Sequence, residues 1–578
     1  MPDMIPRRAV PDGLLSRRSM LAAAFGGLAA VGLAACSSKS DDRGTAPTDS
    51  GAGGPTGGAT TGAPGPSGSS HPSGSTGGAV ALPSFQPAVL VKPDLPATDY
   101  GAEPGFYSYP ADPKEFFGGK TPGSGGDFTT MSIINKTVKM DSSNSHWTGL
   151  MKRLGVTWKP QGSPSDGYAS KFATAVAGNQ IADAMQIPPG SAPNLPELLD
   201  AKFQDLTEFL SGDAVKDYPA LANIPTQSWK STVYNNKIYA VPLQRSALMW
   251  VGTARMDLLK AKSLPTQPKS GDELLTMYRG LTDEKKNHYA LAFPFWVLAY
   301  VGQMTGTPNV WAEEGGKFTR DYETDGYKQA VSLVASMWKE GLFHPDSFAS
   351  SNSQGSDWYH NGVVNALVLQ GAWAFHQAAT QLVTPTADVN WFSPPTWDGS
   401  ATAKSYVGPG IYSITAVKKG SPDRVAEVLR IMDWMAAPFG TAESTFQSYG
   451  TEGVDYTVEK GVVVQTDKGK ADGLFTNYIA FRPQVHSFPG KQSVTDEYNS
   501  EKVLLKDGVQ QPMLGLYSAT SQSKEASLNN SMQSIASDII QGRKDLSAWD
   551  DAVKSWKSGG GDMMRSEFEA SYQKINGG

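Results

Sequence analysis

Apolar residues recur along this chain in two spacings, one typical of β-strands and one typical of α-helices. A short apolar run predicts a first strand over residues 130–135, and residues 166–178 follow with aromatic residues on one helical face. Gly178 suits the C-terminal cap of that helix. Residues 181–187 then predict a second strand. Strands that alternate with helices indicate an α/β protein.

Four later helices are marked by apolar stripes at helical spacing. The stripes are Tyr327, Val331, Val334 and Trp338; Val425, Val428, Leu429 and Met432; Leu528, Met532, Ile535 and Ile539; and Leu546, Trp549, Val553 and Trp556. Ser421 precedes the second stripe and is followed by a proline, a pair typical of a helix N-terminus. Short apolar runs at residues 366–369 and 411–417 predict strands between these helices.

The first 36 residues have the pattern of a bacterial export signal. Residues 16–21 (SRRSML) contain paired arginines, and residues 21–35 are uncharged, mostly apolar and too short for a comfortable membrane span. Cys36 is the only cysteine and follows small residues, which resembles a bacterial lipobox. The resemblance implies a twin-arginine-like lipoprotein signal peptide over residues 1–35 and lipidation of Cys36. We therefore expect the chain on the extracytoplasmic face of the cell membrane.

The composition of residues 36–126 predicts a segment that links the membrane to a folded domain. Up to residue 80 they are mostly Gly, Ser, Thr, Pro and Ala, which predicts a flexible tether. Residues 81–126 are richer in Pro, Tyr and Phe and predict an extended lead-in along the domain surface. The globular part is expected to begin at Asp127.

Charge and cysteine content exclude several classes of function, and the length of the chain indicates how many lobes it has. The formal net charge is −6, and removal of a leader with four arginines and two aspartates makes the remainder more acidic. That balance gives no electrostatic reason to bind nucleic acid. With its one thiol lipidated, the chain has no disulfide and no cysteine-based metal or redox site. A length above about 300 residues predicts two or more lobes.

Several segments carry a family resemblance when they are taken in order. They are residues 236–242 (NKIYAVP), 255–259 (RMDLL), 367–373 (LVLQGAW) and, most specific of all, 449–457 (YGTEGVDYT). In this order, from about Asp127 to Ile575, the chain resembles the extracellular solute-binding proteins of ABC importers. The resemblance is greatest to the oligosaccharide-binding branch with LplA-type lipoproteins and, more distantly, to the maltose-binding type.

The resemblance implies an α/β, two-lobed periplasmic-binding-protein type II fold with a ligand cleft between the lobes. Lobe 1 is expected over residues 127–245 and 411–450, and lobe 2 over residues 250–407. A mostly helical segment, residues 451–578, is expected to return across the lobes.

Chain crossings between the lobes are expected near residues 243–250 and 405–411, with a third after Tyr449. Gly408 and Gly410 flank a proline in the second crossing. Glycine permits unusual backbone angles, so this stretch is either a hinge or a simple turn into the next strand.

A sugar offers apolar C–H faces and a rim of hydroxyl groups, so aromatic planes and a few polar side chains are the expected contacts. The resemblance places a sugar-stacking tryptophan at Trp373 and a second aromatic contact at Trp296. Without the resemblance, Trp373 is better explained as a core residue. Trp250, in the first crossing, and Trp311 are weaker candidates.

Polar candidates lie at strand ends and crossings. They are Asn135 and Lys136 after the first strand, Gln186 in the second, Gln244 and Arg245 at the first crossing, and Glu452 near Gly450. Strand ends at the edge of an α/β sheet are where ligands usually bind. Arg245 suits hydroxyl groups, a uronate carboxylate or a salt bridge between lobes. Glu452 either faces the cleft or caps a turn.

The sequence predicts neither a metal site nor a cofactor. Residues 321–326 resemble half of a calcium loop, but Ser332 stands where that loop needs a bidentate glutamate. The acidic run is better explained as the charged start of the next helix. No nucleophile elbow, phosphate loop or dinucleotide fingerprint is present. A secreted glycan-active enzyme stays an alternative, since the 56 acidic residues offer many carboxylate pairs.

The combined prediction is a monomeric, lipid-anchored binding protein, not an enzyme. It captures an oligosaccharide or related sugar by cleft closure and delivers it to an ABC permease. The alternative keeps the scaffold and changes the solute to a peptide or a charged metabolite. In that case Arg245 and Lys136 matter more than the tryptophans.

Overall fold

The computed structural model describes residues 80–576, except 89, 135–137, 190, 193, 372–381, 385, 460–461, 475–478, 482–484 and 487–489. These described residues belong to one compact unit. The predictions for Cys36, Asn135, Lys136 and Trp373 lie outside the described residues.

Strands and helices alternate along the described chain. The strands are β1 Asp127–Ile133, β2 Thr157–Ser163, β3 Ala184–Ile187, β4 Val233–Tyr234, β5 Lys237–Ile238, β6 Ala240–Gln244, β7 Val251–Arg255, β8 Trp311–Glu314, β9 Lys317–Arg320, β10 Ala366–Leu369, β11 Val389–Phe392, β12 Ile411–Val417, β13 Tyr456–Glu459 and β14 Val462–Gln465. The helices are α1 Ser145–Leu154, α2 Ser165–Ala177, α3 Leu195–Lys202, α4 Thr207–Leu210, α5 Thr226–Trp229, α6 Met256–Ala261, α7 Gly271–Leu281, α8 Pro294–Met304, α9 Asp325–Lys339, α10 Asn352–His360, α11 Pro422–Met435, α12 Ala442–Tyr449, α13 Asp467–Asp472, α14 Lys491–Leu504, α15 Ala519–Ile540, α16 Ala548–Trp556 and α17 Asp562–Asn576.

The elements predicted from apolar spacing are confirmed, with shifted ends. The first strand begins earlier, at Asp127, and the second begins later, at Ala184. Gly178 is the C-cap of α2, and Ser421 caps α11 by accepting a hydrogen bond from the backbone N–H of Arg424. At the acidic run before α9, the N-cap is Thr324 rather than an acidic residue.

The larger sheet has five strands in the order β2-β1-β3-β12-β6. β1 is parallel to β2 and β3, whereas β12 is antiparallel to both β3 and β6. The carboxyl ends of β1, β3 and β6 therefore meet at one edge, together with the amino end of β12. We call this the carboxyl edge, the usual position of a ligand on an α/β sheet.

Each face of the larger sheet is covered by its own apolar cluster, because side chains alternate along a strand. Phe128 points to one face, where it joins side chains from α1 and α11. Met131 and Ile133 point to the other, where they join Tyr168 and Phe172 of α2. Helices on both faces of a largely parallel sheet confirm the predicted α/β class.

A second, three-stranded sheet, β10-β7-β11, is antiparallel throughout. Its core includes helices α7, α8 and α9 and also the last helices of the chain. Trp549 and Trp556 of α16 are 1% and 2% exposed within this core. The C-terminal helices therefore complete the core around the smaller sheet. The exact lobe boundaries stay a prediction.

The lead-in packs along the larger sheet's lobe through backbone hydrogen bonds. Ser84 N–H donates to Gly212 O (2.9 Å), and Gln86 N–H donates to Ala222 O (2.7 Å). Farther along, Phe116 N–H donates to the Glu443 carboxylate (3.0 Å). In the described part of the chain, no helix is both long and apolar enough to span a membrane.

Candidate ligand-binding site

Two chain crossings join the sheets and pair with each other. The chain leaves β6 of the larger sheet at Gln244 and enters β7 of the smaller sheet at Val251. It returns through residues 406–410. The pairing hydrogen bonds are Arg245 N–H to Gly410 O (2.9 Å), Gly408 N–H to Ala247 O (2.7 Å) and Met249 N–H to Tyr406 O (3.0 Å). We call residues 245–249 and 406–410 the crossing ribbon; both parts coincide with predicted crossings.

The chain passes the crossing ribbon a third time, after α14. Val407 N–H donates to Val509 O (2.9 Å), and Val509 N–H donates to Ser405 O (2.8 Å). Gly410 has a φ of 71°, a left-handed conformation that favours glycine. Three adjacent crossings with a left-handed glycine suit a hinge, whose residues absorb the backbone change of domain closure.

Arg245 begins the crossing ribbon at the carboxyl edge of the larger sheet. Its half-buried guanidinium lies 4.9 Å from the Tyr412 ring centroid and 5.6 Å from that of Phe481. Rings at these distances orient the cation, and the planar donor set of a guanidinium matches hydroxyl or carboxylate oxygens.

Trp250 ends the first crossing on the other side, next to the smaller sheet. Its ring centroid is 6.2 Å from that of Trp296, which in turn is 4.1 Å from Phe293. Trp250 and Trp296 are both half-buried. We call these three side chains the aromatic cluster. Two of its members were predicted as sugar contacts, and the structure brings them together.

The aromatic cluster carries backbone strain. Trp250 has a φ of 53° and Phe293 a φ of 55°, and bulky residues rarely adopt this left-handed conformation. The ring of Phe293 also lies against Gly355, where an added Cβ would come within 2.3 Å of ring atoms. Strained residues held by their surroundings concentrate at ligand sites, which makes this cluster a candidate contact region.

Gln303 of α8 fastens both crossings at the aromatic cluster. Its Nε2 donates to Trp250 O (3.1 Å), and its Oε1 accepts from Tyr406 N–H (2.9 Å). The side chain is 3% exposed. Because one buried amide satisfies a backbone group of each crossing, it holds Trp250 in its left-handed conformation.

Two side chains that were predicted as polar ligand contacts are buried and hydrogen-bonded to other protein groups. Gln186 is fully buried; its Oε1 accepts from Ile133 N–H (2.8 Å) and its Nε2 donates to Ser413 Oγ (2.9 Å). Gln244 is 3% exposed and donates to Glu103 Oε1 (3.1 Å). In this conformation a ligand reaches either amide only by displacing these partners.

Trp311 is buried in the core, and Glu452 lies in an exposed turn. Trp311 is 1% exposed, with Trp556 and Phe568 packed against its ring at 6.0 and 5.7 Å between centroids. This burial leaves no ring face for a sugar. Glu452 is exposed in the turn before β13, where its backbone pairs with that of Tyr456.

A buried group of ionisable side chains adjoins the first crossing. His486 Nδ1 lies 3.0 Å from Glu497 Oε2, and His486 Nε2 lies 3.0 Å from Glu501 Oε2. Glu501 also accepts a hydrogen bond from Ser246 Oγ of the crossing ribbon (2.5 Å). We call His486, Glu497, Glu501 and Glu103 the hinge hub.

The electrostatics of the hinge hub favour an ion pair. Burial alone lowers the pKa of His486, but the carboxylates of Glu497 and Glu501 raise it well above its ordinary value. Burial opposes ionisation of Glu501, yet the charge of His486 and the hydrogen bonds from His486, the Glu103 backbone and Ser246 lower its pKa. Burial raises the pKa of Glu497 to about 7 and that of Glu103 well above its usual range. The charged pair is therefore His486 with Glu501.

Sequence reasoning missed Gln303 and the hinge hub. Gln303 is a lone amide in the apolar helix α8, and such a residue usually satisfies backbone groups in the core. Glu497 and Glu501 are four residues apart, so they share one helix face. Their meeting with His486 depends on tertiary packing that no local pattern shows.

Among the described residues, no group of three or more His, Cys, Asp or Glu side chains is arranged to hold a metal ion.

Comparison with known proteins finds a matching family model and two similar curated proteins. The model of the family "Bacterial extracellular solute-binding protein" matches residues 141–441, just over half of the chain. Lipoprotein LipO of Bacillus subtilis is 21% identical over 444 residues, covering 73% of this chain and 86% of LipO. The polygalacturonan/rhamnogalacturonan-binding protein YtcQ of Bacillus subtilis is 24% identical over 451 residues, with the same coverage.

The fold agrees with a solved solute-binding protein. The N-glycan transport solute-binding protein NgtS of Streptococcus pneumoniae, in complex with Man1GlcNAc, superposes with a TM-score of 0.57 at 14% identity. The match covers 78% of this chain and all of NgtS. This likeness confirms the predicted two-lobed type II periplasmic-binding-protein fold.

Proposed function

Because the chain belongs to the bacterial extracellular solute-binding protein family, we propose that it captures an oligosaccharide between its two lobes and delivers it to an ABC permease. The family and its structural neighbours are binding proteins rather than enzymes. The proposed activity is accordingly reversible binding without turnover.

The observation that carries this proposal is the composition of the first crossing. It has Arg245 at one end and Trp250 of the aromatic cluster at the other, both half-buried. An oligosaccharide requires this pairing of apolar planes with directed donors, since each sugar ring has C–H faces and hydroxyl rims. Trp296 extends the aromatic surface, and Trp373 is proposed as a further stacking residue.

Capture is proposed to work by closure about the crossing ribbon. A ligand that contacts both lobes binds the closed form better than the open form, and it shifts the population by that difference in affinity. The closed form is then the shape that the permease recognises. The cleft needs no cofactor for this task.

The anchor is proposed from the amino-terminal sequence. Lipidation of Cys36 would hold the protein at the outer face of the membrane, beside its permease, and the name of the relative LipO is consistent with a lipoprotein. We propose that the protein acts as a monomer.

A second candidate ligand class is an acidic oligosaccharide. Arg245 offers a planar donor set that matches a carboxylate, and the relative YtcQ is named for binding polygalacturonan and rhamnogalacturonan. A uronate ligand would make affinity fall as salt rises, whereas affinity for a neutral oligosaccharide would change little.

Calorimetric titration of the mature protein with neutral oligosaccharides, oligouronates and peptides tests the proposal, with chromatography of each mixture. We expect saturable binding of one oligosaccharide class and full recovery of the intact sugar. Catalytic hydrolysis would contradict the proposal, as would binding of peptides alone.

A further inference from the structure

The hinge hub touches the crossing ribbon at one side chain, Ser246. Ser246 Oγ donates to Glu501 Oε1 at 2.5 Å. The other oxygen of Glu501 accepts from Glu103 N–H (2.9 Å) and faces His486 Nε2 (3.0 Å). Ser246 is 4% exposed and Glu501 is fully buried. A helix outside the crossings, α14, is thus fixed to the first crossing by a buried hydrogen bond.

Ser246 is also where the smaller sheet's lobe meets the crossing. Its carbonyl accepts from Gln370 Nε2 (3.0 Å), directly after β10. A Cβ on the next residue, Gly371, would lie 2.7 Å from Ser246 Oγ. Glycine is therefore required at position 371 because the turn after β10 packs on the serine hydroxyl. Ser246 joins α14, the first crossing and that turn.

The bond to Ser246 is strengthened by charge. His486 keeps Glu501 ionised, and hydrogen bonds to an ionised acceptor are stronger than neutral ones. Ser246 Oγ also accepts from Leu248 N–H (3.2 Å), so the hydroxyl uses both its donor and an acceptor position. A hydroxyl that both donates and accepts in this way fixes the backbone of residues 246–248, which lies between Arg245 and Trp250.

We infer that Glu501 is a positioning residue of the ligand cleft, which acts through Ser246 to hold the first crossing and the turn at Gly371 in the arrangement that binds ligand. This inference rests on the proposed function, because the crossing must contact the ligand for its position to affect affinity. Glu501 itself touches no ligand in this account.

Two variants each remove one of the hydrogen bonds that Ser246 makes, either to Glu501 or to Gln370. Ser246→Ala removes the hydroxyl, and Gln370→Ala removes the half-buried amide at the other end, which keeps the test decisive should Ser246→Ala not fold. We expect each to weaken binding of the identified oligosaccharide by up to about ten-fold, the factor that corresponds to the net free energy of one such hydrogen bond when the binding arrangement depends on it. Thermal unfolding measured beside calorimetry separates positioning from general destabilisation.

Ser500→Ala is the matched control. Ser500 is fully buried on the same helix, but its Oγ donates to the helix's own carbonyl at Glu497 (2.6 Å). We expect this control to keep the wild-type affinity. Unchanged affinity in Ser246→Ala and Gln370→Ala, or an equal loss in Ser500→Ala, would overturn the inference.

Amide hydrogen exchange of the unliganded protein tests the positioning role without any ligand. The N–H groups of Met249 and Gly408 pair across the crossing ribbon without touching Ser246 Oγ. We expect them to exchange about ten-fold faster in Ser246→Ala and at the wild-type rate in Ser500→Ala. Wild-type exchange in both would reject the positioning role, whereas failure of the wild-type protein to bind any oligosaccharide would reject only the proposed function.

Discussion

Trp250 shows how a single residue combines chemistry with strain. Its half-buried indole lies next to that of Trp296. Its backbone adopts a left-handed conformation, and Gln303 donates a hydrogen bond to its carbonyl oxygen. The sequence could predict that tryptophans at these positions suit a sugar. It could not predict the left-handed backbone, because that conformation depends on a glutamine more than 50 residues away.

Trp250→Ala and Trp296→Ala should each weaken oligosaccharide binding ten-fold or more, since aromatic anchors dominate the energetics of such contacts. Calorimetric titration measures the effect. Trp338→Ala is the control, because Trp338 is a half-buried tryptophan that packs on Phe343 and Phe348 instead. Equal losses in all three variants would indicate a general structural effect and contradict the aromatic cluster as the contact surface.

At the scale of elements, buried polar side chains fix helices to loops. Asp433 near the end of α11 is 3% exposed, and its Oδ1 accepts from the N–H groups of Ala220 and Leu221, both at 2.8 Å. Burial raises the pKa of this carboxyl to about 7, from an ordinary value of 3.8, despite these two donors. Ionisation of Asp433 is thus harder in the folded than in the unfolded chain.

Asp433→Asn should remove a pH-dependent loss of stability. With a raised folded-state pKa, the stability contribution of Asp433 is complete below about pH 4 and is lost as the pH rises towards 7. About three pKa units correspond to up to roughly 4 kcal/mol at pH 8, and asparagine keeps the accepting oxygen. Urea unfolding at pH 4 and pH 8 measures the free energy of unfolding. A variant with no gain at pH 8 relative to wild type would contradict the assignment.

The elements also show what local patterns predict and what they miss. Helices such as α9 and α11 have apolar stripes with capping residues, and both were predicted. Strand β2 was not, because its sequence TWKPQGS includes a proline and few apolar residues; it lies at the edge of the sheet, where proline is tolerated. The burial of Gln186 and Trp311 was equally hidden, since their partners Ser413 and Phe568 are distant in sequence.

At the scale of the whole molecule, the chain combines two lobes with a long amino-terminal segment. Parts of the lead-in pack on the larger sheet's lobe, and Glu103 of this segment belongs to the hinge hub, where its N–H donates to Glu501. The two-lobed fold could be predicted from the order of family segments. The attachment of the lead-in to the hinge could not, because no periodicity marks a segment without regular structure.

Cys36→Ser should release the protein from the membrane without changing its affinity for ligand, because Cys36 is proposed only as the anchor and not as a ligand contact. Fractionation of cells and medium measures the location, and titration of the released protein measures the affinity. A variant that stays in the membrane fraction, or that loses affinity, would contradict the proposed role of Cys36.

The central claim is ligand capture by closure about the crossing ribbon, and one distance measurement tests it most directly. With Cys36 replaced by serine, Ser170→Cys on α2 and Ser332→Cys on α9 provide two exposed labelling sites, one in each lobe. We predict that the distance between the two labels shortens as the identified oligosaccharide is added, saturates at the calorimetric binding midpoint and returns when the sugar is removed intact. An unchanged distance at saturating ligand would contradict the account.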